Sequence, residues 1–298
     1  MPRVFIAGCG FAGLAAARLL HGRGWEVVGG THSEESAAAL AGEPFPVVAC
    51  DIADREAVLA LPELRGCEAV VHCASSGRGG AEAYERVYLN GARNLSDAVP
   101  MGRLLFTSST SVYAQVDGSW VDEESPAEPD RDTGRLLRET ESLVLARGGA
   151  VVRLAGIYGP GRSVLLRKFF SGAAVLEGGG ERWINQVHRE DIASGLACIL
   201  EGGERGVFNL SDDRPVTQRE LYAWLSERFG MPLPPAGPVD LNRKRGWTHK
   251  RVSNAKLRAL GWAPRFRSFF EAVECDPEMV AAARASGGGV GGEGGGEG

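Results

Sequence analysis

The sequence predicts an α/β protein: a doubly wound parallel sheet followed by a smaller C-terminal α/β lobe. Two observations carry this prediction. Short apolar, β-branched runs alternate with helical patterns of ten or more residues through the first 155 positions, and that alternation implies βαβ units with both sheet faces covered. The first run also ends in a glycine cluster that opens a helix. The composition agrees: 298 residues, 44% hydrophobic and 24% charged, enough apolar surface for a sizeable core in one large or two modest domains.

The elements follow in order. Arg3 to Ala7 is a buried strand running into glycines, and Phe11 to Arg23 places Leu14, Ala17 and Leu20 at helical spacing. Trp25–Gly30 is a second strand, Ser33–Ala41 a second helix and Pro46–Cys50 a third strand. A helix around Asp54–Leu61, strand Glu68–Cys73, helix Ala81–Val99 and strand Arg103–Ser108 continue the rhythm. Helix Thr133–Ala146 and strand Ala150–Leu154 close it. This gives a dinucleotide-binding domain over 1–155. Beyond Gly156 the glycines at 159, 161 and 178–180 and the prolines between 232 and 238 break shorter elements, which predicts an interleaved substrate lobe over 156–285. Residues 286–298 hold nine glycines and read as a disordered tail.

Several function classes are excluded. A net charge of −5 gives no positive field to attract nucleic acid or an anionic membrane. The 33 basic residues are 29 Arg and 4 Lys, the bias of a GC-rich genome. No apolar run approaches the ~20 residues of a bilayer span, and no signal-peptide core follows Met1. The six Cys form no C-x-x-C pair. The chain therefore reads as soluble, cytoplasmic and reduced. The five His are scattered, so no metal site is expected, and Ser109 lacks the G-x-S-x-G context of a hydrolase.

Gly8-Cys9-Gly10-Phe11-Ala12-Gly13 is G-x-G-x-x-G between a strand and a helix. The first glycine allows the tight turn, the second admits a pyrophosphate close to the backbone, and the third allows helix–strand packing. The helix N-terminus favours the negative charge. The stretch also resembles the start of FAD-binding flavoproteins. Both FAD and NAD sites usually place an acid at the end of the second strand, and here Thr31-His32-Ser33 stands instead. That favours NADP over NAD, with the 2′-phosphate near these three residues, and argues against FAD. Asp51 is a candidate adenine contact, or alternatively a helix cap before Arg55.

Further segments match in order: Val70–Ser75, Asn90–Asn94, Leu105–Tyr113, Val121–Pro126, Arg153–Gly161 and Val187–Asp191. Together they resemble the extended short-chain dehydrogenase/reductase family, the NAD-dependent epimerase/dehydratase group, from Arg3 to about Trp262. The resemblance implies a Rossmann domain, a substrate lobe and nicotinamide-dependent chemistry, often on nucleotide sugars. It implies further cofactor contacts at Ala74, Ser75, Thr107, Ser108 and Ala155. It places on Ser109 the hydroxyl that binds the reacting oxygen, and its members pair through helices matching those near Asp97 and Thr133, which makes a homodimer one open oligomeric state. The family's acid/base is a Tyr in Y-x-x-x-K. Here those positions hold Thr133 and Leu137, and none of the five tyrosines has a Lys four residues later. A Thr hydroxyl is too weak an acid to substitute, so the resemblance is to the atypical members, which keep the glycine motif and lose the Tyr-Lys pair.

Tyr113 is a second catalytic candidate if its ring turns toward the nicotinamide; otherwise it packs at the strand end. Asn90, Tyr158, Arg162 and His188 are the candidate substrate contacts. For His188 and Asp191 the alternative is structural, His188 bonding a loop and Asp191 capping a helix. Arg153 and Arg162 could neutralise a substrate phosphate. The expected function is an NAD(P)-dependent oxidoreductase or epimerase/dehydratase-like enzyme acting on a small carbonyl or hydroxyl substrate. The alternative is a non-catalytic NADP(H) sensor or structural subunit.

Overall fold

A computed structural model describes residues 1–77, 79–241 and 246–287. Its centre is a seven-stranded parallel sheet. In chain order the first half contains β1 (Arg3–Ala7), α1 (Phe11–Gly22), β2 (Glu26–Thr31), α2 (Glu34–Ala38), β3 (Val47–Ala49), α3 (Arg55–Ala60) and β4 (Ala69–His72). Next come α4 (Ala81–Tyr84), a π-helical turn (Glu85–Asn90), α5 (Gly91–Ala98), β5 (Arg103–Ser109), β6 (Trp120–Val121), α6 (Asp132–Ala146) and β7 (Ala150–Leu154). The single helix expected over 81–99 is thus three consecutive helical pieces, with a wide turn in the middle. The helix expected over 33–41 is shorter: Ser33 caps α2 from outside by accepting the Ser36 N–H, and after Ala38 the chain tightens into turns in which the Leu40 and Ala41 N–H groups donate to the Ala37 and Ala38 carbonyls.

The second half contains β8 (Gly156–Tyr158), α7 (Val164–Phe170), β9 (Leu176–Glu177), β10 (Trp183–Ile184), β11 (Gln186–His188) and α8 (Arg189–Gly202). It continues with β12 (Gly206–Leu210), β13 (Val216–Thr217), α9 (Gln218–Phe229), β14 (Ala236–Gly237), β15 (Arg251–Val252), α10 (Ala255–Ala259), α11 (Phe269–Cys275) and α12 (Pro277–Gly287). Ser286 and Gly287, the expected start of the tail, close α12; residues 288–298 lie outside the described residues.

The sheet order is β12-β7-β5-β4-β1-β2-β3. The chain winds outward from β1 in one direction to β2 and β3, and in the other to β4, β5 and β7. The order reverses between β1 and β4, and the crevice beyond their C-terminal ends is where such a sheet takes a ligand. Alternate side chains of each strand enter different layers. Val4, Ile6, Val71, Leu105 and Val152 pack with Leu20 of α1 and Ile192 and Leu196 of α8. Phe5, Val70, Phe106 and Val151 pack on the other face with Leu95 of α5 and Leu137 and Val144 of α6. A third core, with Phe169, Tyr222, Phe266 and Phe269, belongs to the second lobe. The lobes interlock, because α8 covers the first sheet and β12 extends it beside β7. No helix among the described residues is long and apolar enough to cross a membrane.

Candidate active site

A cleft of about 830 Å³ opens at the reversal point of the sheet. Its floor is the glycine loop. Gly8 has φ +90°, and a Cβ there would lie 2.3 Å from the Ala74 Cα, so only glycine lets the ends of β1 and β4 pass this closely. At Gly13 a Cβ would lie 2.2 Å from the Gly8 carbonyl oxygen, which is the close helix–strand packing expected of the third glycine. Gly10 differs. A Cβ there would meet nothing within 4 Å, so the protein itself does not need glycine at this position. The space above it faces the first turn of α1, which has no side-chain cap and no acidic residue. Backbone N–H groups there have no helical acceptor and are suited to an anion. The cradle fits a dinucleotide diphosphate.

The cleft brings together most of the residues expected at a cofactor site: Gly8, Gly10, Phe11, Ala12, Thr31, His32, Asp51, Ala74, Ser75, Thr107, Ser108 and Ala155. Gly13 lies beneath it as packing. Ser33 does not line it and is engaged as the α2 cap; Ser36, one turn on, lines it instead. Thr31 turns its hydroxyl inward, toward the carbonyls of Ser33 (3.2 Å) and Val48 (3.5 Å). His32 is exposed, with Nδ1 3.7 Å from the Asp51 carboxylate. Asp51 is not the helix cap, a role taken by Asp54. It accepts from the Ala53 N–H (3.0 Å) and from Arg86 Nη1 (2.7 Å). Burial pushes its carboxyl up, but these donors outweigh burial and hold it below the usual range.

Arg86, Val87 and Tyr88, which sequence reasoning missed, line the cleft from the π turn. An added residue per turn rotates the following side chains, and helical periodicity alone does not reveal it. The turn rests on His72, fully buried at the end of β4, whose Nε2 lies 3.1 Å from the Val87 carbonyl. Burial lowers the His72 pKa to about 4, so at neutral pH the ring is uncharged and Nε2–H donates. Cys73 also lines the cleft, and burial pushes its thiol up to about 12, which makes it inert.

The expected catalytic and substrate residues fall elsewhere. Ser109 is buried at the end of β5, where its hydroxyl accepts the Ser111 N–H (3.2 Å); the cleft wall is formed by its neighbours Thr107 and Ser108. Tyr113 is fully buried and does not turn toward the cleft. Its hydroxyl accepts from Arg153 Nη1 (2.8 Å) and lies 2.7 Å from the Asp122 carbonyl and 2.8 Å from Asn209 Oδ1. Burial raises its pKa despite Arg153, the opposite of an activated phenol. Arg153 is likewise committed. Its guanidinium grips Glu141 of α6 through Nε (3.1 Å) and Nη2 (2.8 Å), and Glu141 also accepts from Ser108 Oγ (2.6 Å) and Arg138. This buried network replaces the expected phosphate contact at Arg153. The sequence signal for it was a carboxylate inside the apolar stripe of α6.

Asn90 ends the π turn and accepts from Arg93 Nη1 (2.8 Å), outside the cleft. Tyr158 points into the second-lobe core, its ring against His188 and Phe269. His188 is 2% exposed and caps α8, its Nδ1 accepting the Glu190 N–H, with Asp276 3.4 Å from Nε2. Burial lowers its pKa against the pull of Asp276. Asp191, rather than capping, accepts the Arg265 N–H (2.5 Å) and the Phe266 N–H (3.3 Å). Of the four candidate substrate residues only Arg162 reaches the cleft. No group of three or more His, Cys, Asp or Glu among the described residues could hold a metal ion.

Known proteins share this architecture. Protein YeeZ of Escherichia coli K12 is 29% identical over 249 residues, 78% of this chain and 86% of its own length. The structure of an NAD-dependent epimerase/dehydratase from Methylobacillus flagellatus is 28% identical, with a TM-score of 0.77 over 95% of this chain and 99% of that one. The Thermus thermophilus UDP-glucose 4-epimerase, solved in complex with NAD, is 21% identical and shares the fold with a TM-score of 0.78, over 97% of this chain and 100% of that one. Residues 4–211, from the first strand to the end of β12, match the family model directly, and the chain belongs to the NAD dependent epimerase/dehydratase family.

Proposed function

We propose that the cleft binds a nicotinamide dinucleotide and that the protein is an oxidoreductase or epimerase/dehydratase-type enzyme for a small hydroxyl or carbonyl substrate. The observation that carries this reading is the glycine loop, where the protein leaves open space above Gly10 at an uncapped helix start. The complex of the Thermus epimerase with NAD supports the same choice of ligand class. A nicotinamide bound there would supply hydride transfer. The uncapped α1 N-terminus would hold the diphosphate, Asp51 and His32 would face the adenosine end, and Thr107, Ser108 and Ala155 would face the nicotinamide end.

NADP is favoured over NAD. No carboxylate ends β2, where one would accept the ribose hydroxyls. The exposed His32 and Ser36 flank that position and Arg86 stands opposite. A nucleotide-sugar substrate accords with the sugar epimerases among the structural relatives, such as a UDP-glucose 4-epimerase solved with UDP-glucose. A second reading, binding without turnover, is favoured by Thr133 and Leu137 standing where the family's Tyr-Lys pair would be.

The first test is calorimetric titration of the purified protein with NADPH, NADH, NADP and NAD. The expected outcome is micromolar NADPH binding, ahead of NADH. Binding to none of the four would overturn the dinucleotide reading. Tight binding without hydride exchange against any carbonyl or sugar nucleotide would move the second reading to first place.

A further inference from the structure

Two basic side chains of the second lobe, Arg182 and Lys250, face no carboxylate among the described residues. We infer that they form a site for a phosphate group carried by the substrate. The inference deepens the substrate reading above and rests on it.

The fold brings the two together by zipping two segments. The Trp183 N–H donates to His249 Nδ1 (3.1 Å). Asn185 donates through Nδ2 to the Lys250 carbonyl (2.9 Å) and accepts the Val252 N–H at Oδ1 (2.7 Å). Arg182 immediately precedes β10 and Lys250 immediately precedes β15, so they lie on these neighbouring segments. Lys250 is 3% exposed, and its ammonium donates to the Tyr113 carbonyl (2.8 Å), just beyond the end of β5. The second lobe thus meets the first through a buried ammonium.

Neither charge is neutralised. The Tyr113 carbonyl offers Lys250 a dipole and no charge, and burial with the Arg182 charge lowers the Lys250 pKa to about 7. Arg182 Nε is buried with no hydrogen-bond partner among the described residues, and only the Tyr222 phenol favours its charge. The adjacent acids are engaged elsewhere. Glu181 lies 3.7 Å from Arg219, and Asp117, which feels His249, accepts the Ser119 N–H (3.0 Å). Buried charges are ordinarily paired, because desolvation penalises an unpaired one, and a like charge nearby adds repulsion. A phosphate dianion reverses both penalties. The guanidinium fork matches two of its oxygens, and the ammonium serves as a point charge for another.

Room for the rest of a substrate adjoins. A second cavity of about 440 Å³ is lined by Ser111, Ala114, Gly134, Trp247 and Thr248. It lies between the segment after β5, the start of α6 and the stretch leading to Lys250. The Trp247 ring stacks on His249 at 6.1 Å, and its buried Nε1 has no acceptor among the described residues. An aromatic face beside an unused donor suits a sugar ring. None of these residues lines the cofactor cleft, which assigns the phosphate to a substrate rather than to a dinucleotide.

The test titrates the full chain with inorganic phosphate, glucose 1-phosphate, UDP-glucose and glucose, by calorimetry and thermal melting, with NADPH as control. The wild type is expected to bind at least one phosphorylated probe, and glucose at least tenfold more weakly. Arg182→Met is expected to weaken that probe at least tenfold and to leave NADPH within twofold. Without ligand it is expected to melt at or above the wild-type temperature, because it gives up no hydrogen bond and sheds a charge. Arg182→Lys, which keeps the charge without the fork, recovers part of the binding. Binding of glucose 1-phosphate supports the site with a sugar monophosphate as the source, and binding of UDP-glucose alone supports it with a nucleotide diphosphate. A wild type that binds no phosphorylated probe overturns the site, as does unchanged affinity in Arg182→Met or an equal loss of NADPH. An unliganded Arg182→Met that melts several degrees lower also overturns it, by making Arg182 a packing residue. Phosphate binding without turnover of any sugar instead removes the enzymatic reading beneath it and leaves the site standing.

Discussion

Glu141 and Arg153 are both almost completely shielded from water, and each depends on the other for its charge. The carboxylate takes two bonds from the guanidinium and one from Ser108, whose backbone forms the cleft wall. Such a pair adds little net stability over apolar packing, but removing one partner strands a buried charge. Glu141→Ala is expected to lower unfolding free energy by about 3–5 kcal/mol, measured by denaturant titration, with a smaller loss in Glu141→Gln. The pair also explains why Arg153 and Tyr113 misled a reading of the sequence. An Arg and a Tyr at strand ends suggest a substrate site, but two residues from different elements, Glu141 and Asn209, claim them first. Only the carboxylate inside the apolar stripe of α6 hints at one of those partners, and nothing in the sequence links either partner to its side chain across 12 and 96 positions.

At the scale of the element, β1, the glycine loop and α1 form the most legible unit of the molecule. Its apolar run has a strand's length, the following stripe has a helix's period, and the three glycines between them serve separate purposes. Those purposes separate by substitution. Gly13→Ala drives a methyl into the Gly8 carbonyl and is expected to lower the melting temperature by about 5 °C or more. Gly10→Ala meets no protein atom and is expected to melt as the wild type does while losing dinucleotide affinity. Equal thermal losses in both would contradict the open-space argument. The segment 81–98 was less legible. Its apolar spacing fits a plain α-helix, and the π turn that carries Arg86 and Tyr88 into the cleft arises from packing on His72 and Phe106, which no local pattern encodes.

Across the whole molecule, the second lobe is tied to the first by buried polar groups. Asp191 on α8 accepts two backbone N–H groups from Arg265 and Phe266 and so anchors the segment leading to α11 and α12. Burial raises its pKa from 3.8 to about 6, with the Glu190 charge adding to the rise and both N–H bonds opposing it. A carboxyl whose folded pKa lies above its unfolded value stabilises the fold below the unfolded value, and that contribution is lost as pH rises through the folded one. Asp191 therefore draws stability down between about pH 4 and 6. His188, shifted the opposite way by burial, adds stability as pH rises toward its ordinary value. Comparing the wild type with Asp191→Asn isolates the carboxyl: the variant is expected to lose the decline over this window. An unchanged slope in the variant would place the titration elsewhere. The tie itself was not legible, because the motif around His188 and Asp191 reads as an ordinary helix start.

The position of β12 bears on how the chain is made. Six strands of the sheet are complete once Leu154 has been synthesised, yet β7 keeps an unpaired edge until Leu210 emerges, some fifty residues later. At a translation speed of about 5–20 residues per second that edge stays open for roughly 3 to 11 seconds. An exposed parallel edge is a template for pairing with another chain. The nascent protein thus passes through an interval of aggregation risk that ends only when the second lobe returns its strand, and a ribosome pausing between these points would lengthen it.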